Sequence, residues 1–147
     1  MVNNQIYVGA ALVYRKSKNG KVSWFVTKSM DEDKWEIPRV VARRGESTVR
    51  AALRMLGEQA GMGCKIIEET GRVNESSAVN GKSIPKRTIF YLVYMKVQSE
   101  VFGFVDSAWL EYQKAYKKLS SKKDKEMLKS ARDYLKNQPK TSKKDDE

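Results

Sequence analysis

The chain has 147 residues, of which 40% are hydrophobic and 10% aromatic, which is enough to bury the core of one ordinary domain. Its formal net charge of +11 favours phosphate-bearing or otherwise acidic partners. It contains no histidine and a single cysteine, Cys64. This composition excludes Ser-His and Cys-His catalysis, histidine-containing zinc sites and a disulfide framework, and a reducing compartment, the cytoplasm, is expected.

The first third of the chain predicts a β-hairpin. Residues 5–16 are apolar and rich in strand formers. We interpret this run as a strand, because it is too short to span a bilayer and lacks the basic leader of a signal peptide, so no membrane partner is expected. Asn19-Gly20 is a strong signal for a hairpin turn, and residues 22–29 are the predicted returning strand.

A helix is predicted from Ser47 to Ala60. Ser47 or Thr48 can cap its start, and Gly61 lies where a helix commonly ends on a glycine. Apolar residues recur at helical spacing along this segment. The stripe predicted to pack on a sheet comprises Val49, Ala52, Leu53, Leu56 and Ala60.

The second half predicts two strands followed by two helices. Residues 65–73 and 86–97 are predicted strands, the latter apolar on both faces and therefore central in a sheet, and residues 74–85 are predicted as a loop. A short strand or loop at 101–110 precedes helices over 111–119 and 123–135. Five residues fall on one apolar face of the second helix: Met127, Leu128, Ala131, Tyr134 and Leu135. One domain over residues 1–136 is expected, followed by a disordered charged tail at 137–147.

The stretch "WEIPRVVARRGESTVRAALRMLGEQAGM", residues 35–62, has the spacing of a known box. That box is a glycine, five residues, Glu, seven residues, then Arg-Glu-apolar-any-Glu-Glu-any-Gly-apolar. The residues in register with the box are Gly45, Glu46, Arg54, Leu56, Glu58, Gly61 and Met62. Trp35 and Pro38 match the segment that usually precedes it. The chain therefore resembles a Nudix domain, a family that cleaves nucleoside diphosphates linked to another moiety.

The resemblance extends beyond the box. The segment "KRTIFYLVYM" and the closing helices are similar to the branch of the family that hydrolyses dinucleoside tetraphosphates. The resemblance implies an α/β fold, the Nudix-type α/β/α sandwich with a mixed sheet.

Three positions depart from the box. Val40 replaces its first glycine, Met55 replaces the glutamate after the arginine, and Gln59 replaces the second glutamate of the pair. Positions 55, 58 and 59 share one helix face, where an intact box carries three glutamates. Mg²⁺ and Mn²⁺ need several oxygen ligands, so we expect weak metal binding by the residual candidates Glu58, Gln59 and the carbonyl of Val40. A β-branched residue at the glycine position also predicts a changed loop.

Five of the nine arginines lie between Arg39 and Arg54, which predicts a basic cleft for a nucleoside polyphosphate or RNA. The candidate ligand-binding residues are Arg39, Arg44, Arg50, Arg54, Lys86 and Tyr91, with Lys86 included because the related branch has a phosphate-facing lysine there. Alternatives stay open: a solvated helix face for the arginines, core packing for Tyr91, and protection of a strand end for Lys86. Without a glutamate at 55, Arg54 is expected to pair with Glu46 or to stay free.

Three functions remain open. The first is an impaired Nudix protein that acts by binding, without a cofactor and with weak or absent pyrophosphohydrolase activity. The second is an active hydrolase of dinucleoside polyphosphates or related nucleoside diphosphate-linked substrates. It would use Glu58 and Glu46 as catalytic residues, with Mg²⁺ or Mn²⁺ and a further acid such as Glu100. The third is a scaffold in a nucleoprotein assembly.

The lysine-rich C-terminal helices leave a separate question open. Their lysines resemble nucleic-acid contacts. They also fit a solvated helix face, because Asp124, Glu126 and Asp133 are interleaved with them.

Overall fold

The structure, a computed structural model, describes residues 5–29, 33–99 and 103–138. These residues form the following strands and helices: β1 (Ile6–Lys16), β2 (Val22–Lys28), β3 (Trp35–Glu36), β4 (Arg39–Val41), α1 (Thr48–Ala60), β5 (Met62–Val79), β6 (Lys82–Gln98), β7 (Ser107–Leu110), α2 (Tyr112–Lys118) and α3 (Lys122–Lys136). One mixed sheet has the order β3-β2-β1-β6-β5, with β4 also paired to β1 and β7 to β2. Strands β1 and β6 are parallel and the other pairs are antiparallel.

The sheet separates two hydrophobic clusters, because neighbouring side chains along a strand point to opposite faces. Ala11 and Val13 of β1 face α1, whereas Leu12 and Tyr14 face the layer formed by α2 and α3. We call these sides the α1 face and the α3 face. This arrangement confirms the predicted α/β/α sandwich with a mixed sheet.

Helix α1 begins at Thr48, one residue after the predicted start, and ends at the predicted Ala60, and its caps are the predicted residues. The Ser47 hydroxyl accepts a hydrogen bond from the backbone N–H of Arg50, and Gly61 ends the helix at a φ of 62°. The predicted buried stripe, however, is wrong at Leu53, which is only partly buried. The residues that α1 buries are Thr48, Ala51, Ala52, Met55, Leu56 and Ala60.

The rotation of α1 follows from its close approach to β1. A Cβ added to Gly9 would lie 2.2 Å from the carbonyl oxygen of Thr48 and 3.3 Å from the backbone nitrogen of Ala52. Contact at these two positions turns the side of the helix that carries Met55 onto the sheet. The side of Leu53 is turned towards solvent.

The prediction of a loop at 74–85 is wrong, because β5 and β6 continue as one long hairpin to a turn at Asn80-Gly81. Both turn residues have positive φ, 51° and 77°, as two-residue hairpin turns of the primed type require. Most side chains near the tip are exposed. Backbone pairing, and not burial of an apolar face, therefore defines this part of the hairpin.

The two C-terminal helices form where they were predicted. Leu128 and Ala131 of α3 are fully buried on the α3 face, with Met127, Tyr134 and Leu135 packed against the same cluster. In the part of the chain that the structure describes, no helix is long and apolar enough to cross a membrane. Most of the predicted tail, residues 139–147, lies outside the described residues.

Candidate functional site

The loop that enters α1 is held by Glu46. Its carboxylate accepts hydrogen bonds from Nε and Nη2 of Arg54, at 2.8 and 3.0 Å, and from the backbone N–H of Arg43 at 2.9 Å. These contacts, that of Arg54 first, lower the pKa of Glu46 to about 2. Arg54 was expected either to pair with Glu46 or to stay free, and the structure shows the pair. The Glu46 oxygens, predicted to be catalytic, are thus already bound by the protein.

This ion pair makes stability depend on pH in a defined direction. Because the pKa of Glu46 is lowered on folding from 4.5 to about 2, its contribution is present above about pH 4.5 and is lost as the pH falls towards 2. We expect the urea midpoint of the parent to fall more steeply across this window than that of Glu46→Gln. Glu126→Gln, an exposed change of equal charge, serves as the control and should follow the parent. Parallel curves for the parent and Glu46→Gln would contradict the assignment.

Positions 55, 58 and 59, which carry Met, Glu and Gln where an intact box has three glutamates, differ in their surroundings. Met55 is 0% exposed and belongs to the hydrophobic cluster of the α1 face, whereas Glu58 is exposed. Gln59 is half-buried, and the segment at Gly103 packs on it. The Gly103 N–H donates to the Gln59 carbonyl oxygen at 2.9 Å, and a Cβ at residue 103 would lie 2.2 Å from the Cβ of Gln59.

Val40, predicted to change a loop, lies instead in the regular strand β4, opposite Gly9 of β1. Among the described residues that are not glycine, only Asp33 and Asn80 have positive φ. Val40 therefore has an ordinary backbone conformation, and its side chain packs against the α1-face cluster.

The described residues do not fit a Mg²⁺ or Mn²⁺ site. Within residues 5–29, 33–99 and 103–138, no three His, Cys, Asp or Glu side chains come together in a group that could hold a metal ion. Both ions favour several oxygen ligands, whereas Glu58 is a lone carboxylate on α1 and Glu46 is bound to Arg54. Glu100, the further acid considered above, lies outside the described residues.

Arg39 is held in an ion pair with a buried carboxylate and is not a free cation. Its guanidinium bonds to Asp124 of α3 and lies over the ring of Phe90, and its Nε donates to the Ile37 carbonyl at 3.0 Å. Asp124 is 1% exposed and also accepts from the Ile37 N–H at 3.0 Å. This contact, between residues 85 positions apart, places Arg39 on the α3 face.

The six predicted ligand-binding residues do not form one cleft, because the sheet separates them. Lys86 shares the α3 face with Thr88 and Phe90 by strand alternation. Tyr91 faces α1, is 9% exposed, and its hydroxyl lies 2.7 Å from the Thr48 Oγ1, so the core-packing interpretation holds for it.

Three arginines remain exposed at the start of α1: Arg43, Arg44 and Arg50. We call them the α1 basic edge. The first turn of α1 contains no acidic residue, and the nearby Glu46 is already paired. The α1 basic edge is therefore a compact cationic surface with little local neutralisation.

A small pocket opens on the α3 face. It has a volume of about 70 Å³, and its lining includes Arg39, Glu75, Thr88, Phe90, Lys123 and Asp124. The Thr88 Oγ1 is buried there and has no hydrogen-bond partner. Neither Thr88 nor Asp124 was predicted as a site residue, although the alternation along β6 indicates that Thr88 shares a face with Phe90.

No protein-family model matches the chain, and neither does any curated protein. Solved structures do match it. A C. elegans Ap4A hydrolase in a binary complex has a TM-score of 0.74 at 20% identity, covering 90% of this chain and 99% of that one. The E. coli dihydroneopterin triphosphate pyrophosphohydrolase has a TM-score of 0.69 at 13% identity, covering 84% and 92%. The NUDIX domain of Shewanella oneidensis NrtR, solved with ADP ribose, has a TM-score of 0.65 at 13% identity, covering 89% of this chain and 88% of that one.

These likenesses concern the fold. They extend over most of both chains in each comparison, and the Nudix resemblance seen in the sequence is thereby confirmed at the level of the fold. The chain folds as a Nudix domain. At these identities the activity of each matched protein belongs to that protein alone.

Proposed function

We propose that this chain is a Nudix-fold protein with an impaired metal site. It binds a nucleoside polyphosphate or an RNA through basic residues and has weak or absent pyrophosphohydrolase activity. The observation that carries the proposal is the complete burial of Met55. At the position where the box has a glutamate, the side chain is a core residue. The substitution thus removes a metal ligand and commits the position to packing.

The α1 basic edge supports a phosphate-bearing ligand. Arginine guanidinium groups donate paired hydrogen bonds that match phosphate oxygens, and they stay charged at every physiological pH. Arg44 and Arg50 are exposed, and neither has an ion pair with any residue that the structure describes. They can therefore bind phosphate without first breaking a contact within the protein.

The pocket on the α3 face supports a polar ligand group of limited size. Its volume of about 70 Å³ is well below the roughly 300–1,000 Å³ of typical small-molecule sites, so it fits part of a ligand only. Its lining includes the exposed Lys123, which carries a positive charge, and the buried Thr88, whose hydroxyl has no hydrogen-bond partner. Arg39 and Asp124 neutralise each other there, so we assign the main phosphate contact to the α1 basic edge.

Binding without metal is the direct test. Isothermal titration of adenosine 5′-tetraphosphate in EDTA should give measurable affinity that falls with added salt. Arg44→Ala with Arg50→Ala should weaken it by about tenfold, since each charged hydrogen bond contributes about 1.5–3 kcal/mol before solvent screening. The control, Lys18→Ala with Lys21→Ala, removes the same charge from the β1–β2 turn and should leave the affinity within about twofold of the parent. Equal affinity of the parent and the arginine variant would refute the α1 basic edge as the site.

A metal-dependent hydrolase of dinucleoside polyphosphates is the second candidate. It is favoured by the fold shared with C. elegans Ap4A hydrolase over 90% of this chain and by the exposure of Glu58 on α1. Mg²⁺ or Mn²⁺ would be its cofactor. Metal-dependent turnover separates this candidate from the first.

A further inference from the structure

Helix α3 carries a row of cations along one side. Residues spaced alternately by three and four positions lie in a row on an α-helix. Five positively charged residues of α3 follow this spacing: Lys122, Lys125, Lys129, Arg132 and Lys136. We call them the α3 stripe. The stripe flanks the buried side of the helix, where Leu128 and Ala131 pack on the sheet.

The acidic residues interleaved with these lysines leave most of the stripe charge in place. Asp124 is buried and paired with Arg39, so it belongs to the core. Asp133 is 3.3 Å from the Nη2 of its neighbour Arg132. Glu126 is exposed and makes no ion pair with any described residue. Of these three acids, Asp124 alone is engaged away from the stripe. Asp133 pairs with one stripe residue, and Glu126 remains as an exposed carboxylate beside the other four cations.

Two tyrosines of α2 hold the inner part of the stripe in place. The Cζ of Arg132 lies 4.0 Å from the ring centroid of Tyr112, and the Nζ of Lys125 lies 5.4 Å from that of Tyr116. The two rings are 5.8 Å apart. These cation–π contacts fix two of the five charges against the body of the protein, which reduces the entropy lost when a ligand binds.

The other three cations are available to a ligand. Lys122, Lys129 and Lys136 are exposed, and none has an ion pair with a residue in the part of the chain that the structure describes. From residue 122 to residue 136 the helix rises about 21 Å at 1.5 Å per residue. A nucleic-acid strand carries one phosphate about every 3.4 Å along a helical axis, so this length matches about six nucleotides.

We propose that the α3 stripe binds the phosphate backbone of a nucleic-acid strand. The charge is concentrated in a line, as it is in that ligand, and the five cations of the stripe outnumber the two acids, Glu126 and Asp133, that remain beside them. The stripe is separate from the α1 basic edge, which lies at the helix on the other face of the sheet. The proposal goes beyond nucleotide binding by assigning a second, extended ligand surface.

The test compares two variants of equal charge. Fluorescence anisotropy follows a labelled single-stranded RNA of about twelve nucleotides with a 5′-hydroxyl, over a series of salt concentrations. The triple variant Lys122→Gln, Lys129→Gln, Lys136→Gln should bind at least about tenfold more weakly, and its slope of log affinity against log salt should fall by about two. The control Lys18→Gln, Lys21→Gln, Lys82→Gln removes three exposed lysines from the two hairpin turns. It should retain the parental slope.

Three outcomes would overturn the proposal. Equal losses of RNA affinity in the two triple variants would show that only net charge matters. Failure of the parent to bind the RNA would show that the α3 stripe does not bind this ligand. Stronger, stripe-dependent binding to phosphatidylserine vesicles than to the RNA would assign the surface to membranes. The α1 variant Arg44→Ala, Arg50→Ala should keep its affinity for this RNA, and the stripe variant should keep its affinity for adenosine tetraphosphate. Failure of one proposal can thereby be told from failure of the other.

Discussion

Replacing Asp124 by Ala should lower the free energy of unfolding by about 3–5 kcal/mol, the usual cost of removing one partner from a buried ion pair. The Asp124 carboxylate is 1% exposed and accepts hydrogen bonds from the Arg39 guanidinium and the Ile37 N–H. Its loss leaves the partly buried Arg39 with only the more distant carboxylate of Glu36, whose Oε1 lies 3.7 Å from the Arg39 Nε. It also leaves the Ile37 N–H without a partner and removes the contact that joins β4 to α3.

Urea unfolding followed by far-UV circular dichroism measures this change. Glu126→Ala is the matched control, because it removes an exposed carboxylate from the same helix and should shift the free energy of unfolding by no more than about 0.5 kcal/mol. Asp124→Asn keeps the shape of the side chain without its charge and should fall between the two. A loss for Asp124→Ala no larger than that for Glu126→Ala would contradict the role assigned to the pair.

Met55→Glu should also be strongly destabilising, by about 4 kcal/mol in the absence of metal. Met55 is 0% exposed among apolar side chains of the α1 face, and a carboxylate there loses its hydration without gaining a partner. Met55→Leu, of similar volume, is the control and should cost less than about 1.5 kcal/mol. The comparison isolates the charge from the change of shape.

Addition of Mg²⁺ turns this variant into a test of the site. If position 55 is a core position, a few millimolar Mg²⁺ should not restore the stability of Met55→Glu, alone or combined with Gln59→Glu. Ligand binding to the folded state alone would raise stability by RT ln(1 + [L]/Kd). Clear recovery by Mg²⁺ would show that residues 55, 58 and 59 can act together as a metal patch after all.

Local chemistry made part of this structure predictable. Ser47 caps the start of α1 and Gly61 ends it in a left-handed conformation. Both signals were predictable, because each depends only on residues close by in the sequence. The Asn19-Gly20 turn is predictable for the same reason. Asn80-Gly81 carries the same signal, but its flanking strands are polar, and the alternation of hydrophobic residues that usually accompanies a hairpin is missing there.

The candidate site depends on contacts that are distant in the sequence. Arg39 appears in the sequence beside the other arginines of the box, yet strand β4 turns it to the α3 face, where Asp124 holds it. The rotation of α1 that buries Met55 is set by the contact with Gly9 of β1. Neither relation leaves a pattern in the local sequence, so the box alone could not show which residues share a surface.

We propose that this Nudix fold acts by binding and not by metal-dependent cleavage. The most direct measurement is nucleotide release from dinucleoside polyphosphates and capped RNA at high protein concentration, with Mg²⁺, with Mn²⁺ and with EDTA. We expect the parent to release no more product than Glu58→Gln under any of these conditions. Robust turnover of the parent in Mg²⁺ or Mn²⁺ that Glu58→Gln abolishes would contradict the claim and would assign the chain an active, unusually composed metal site.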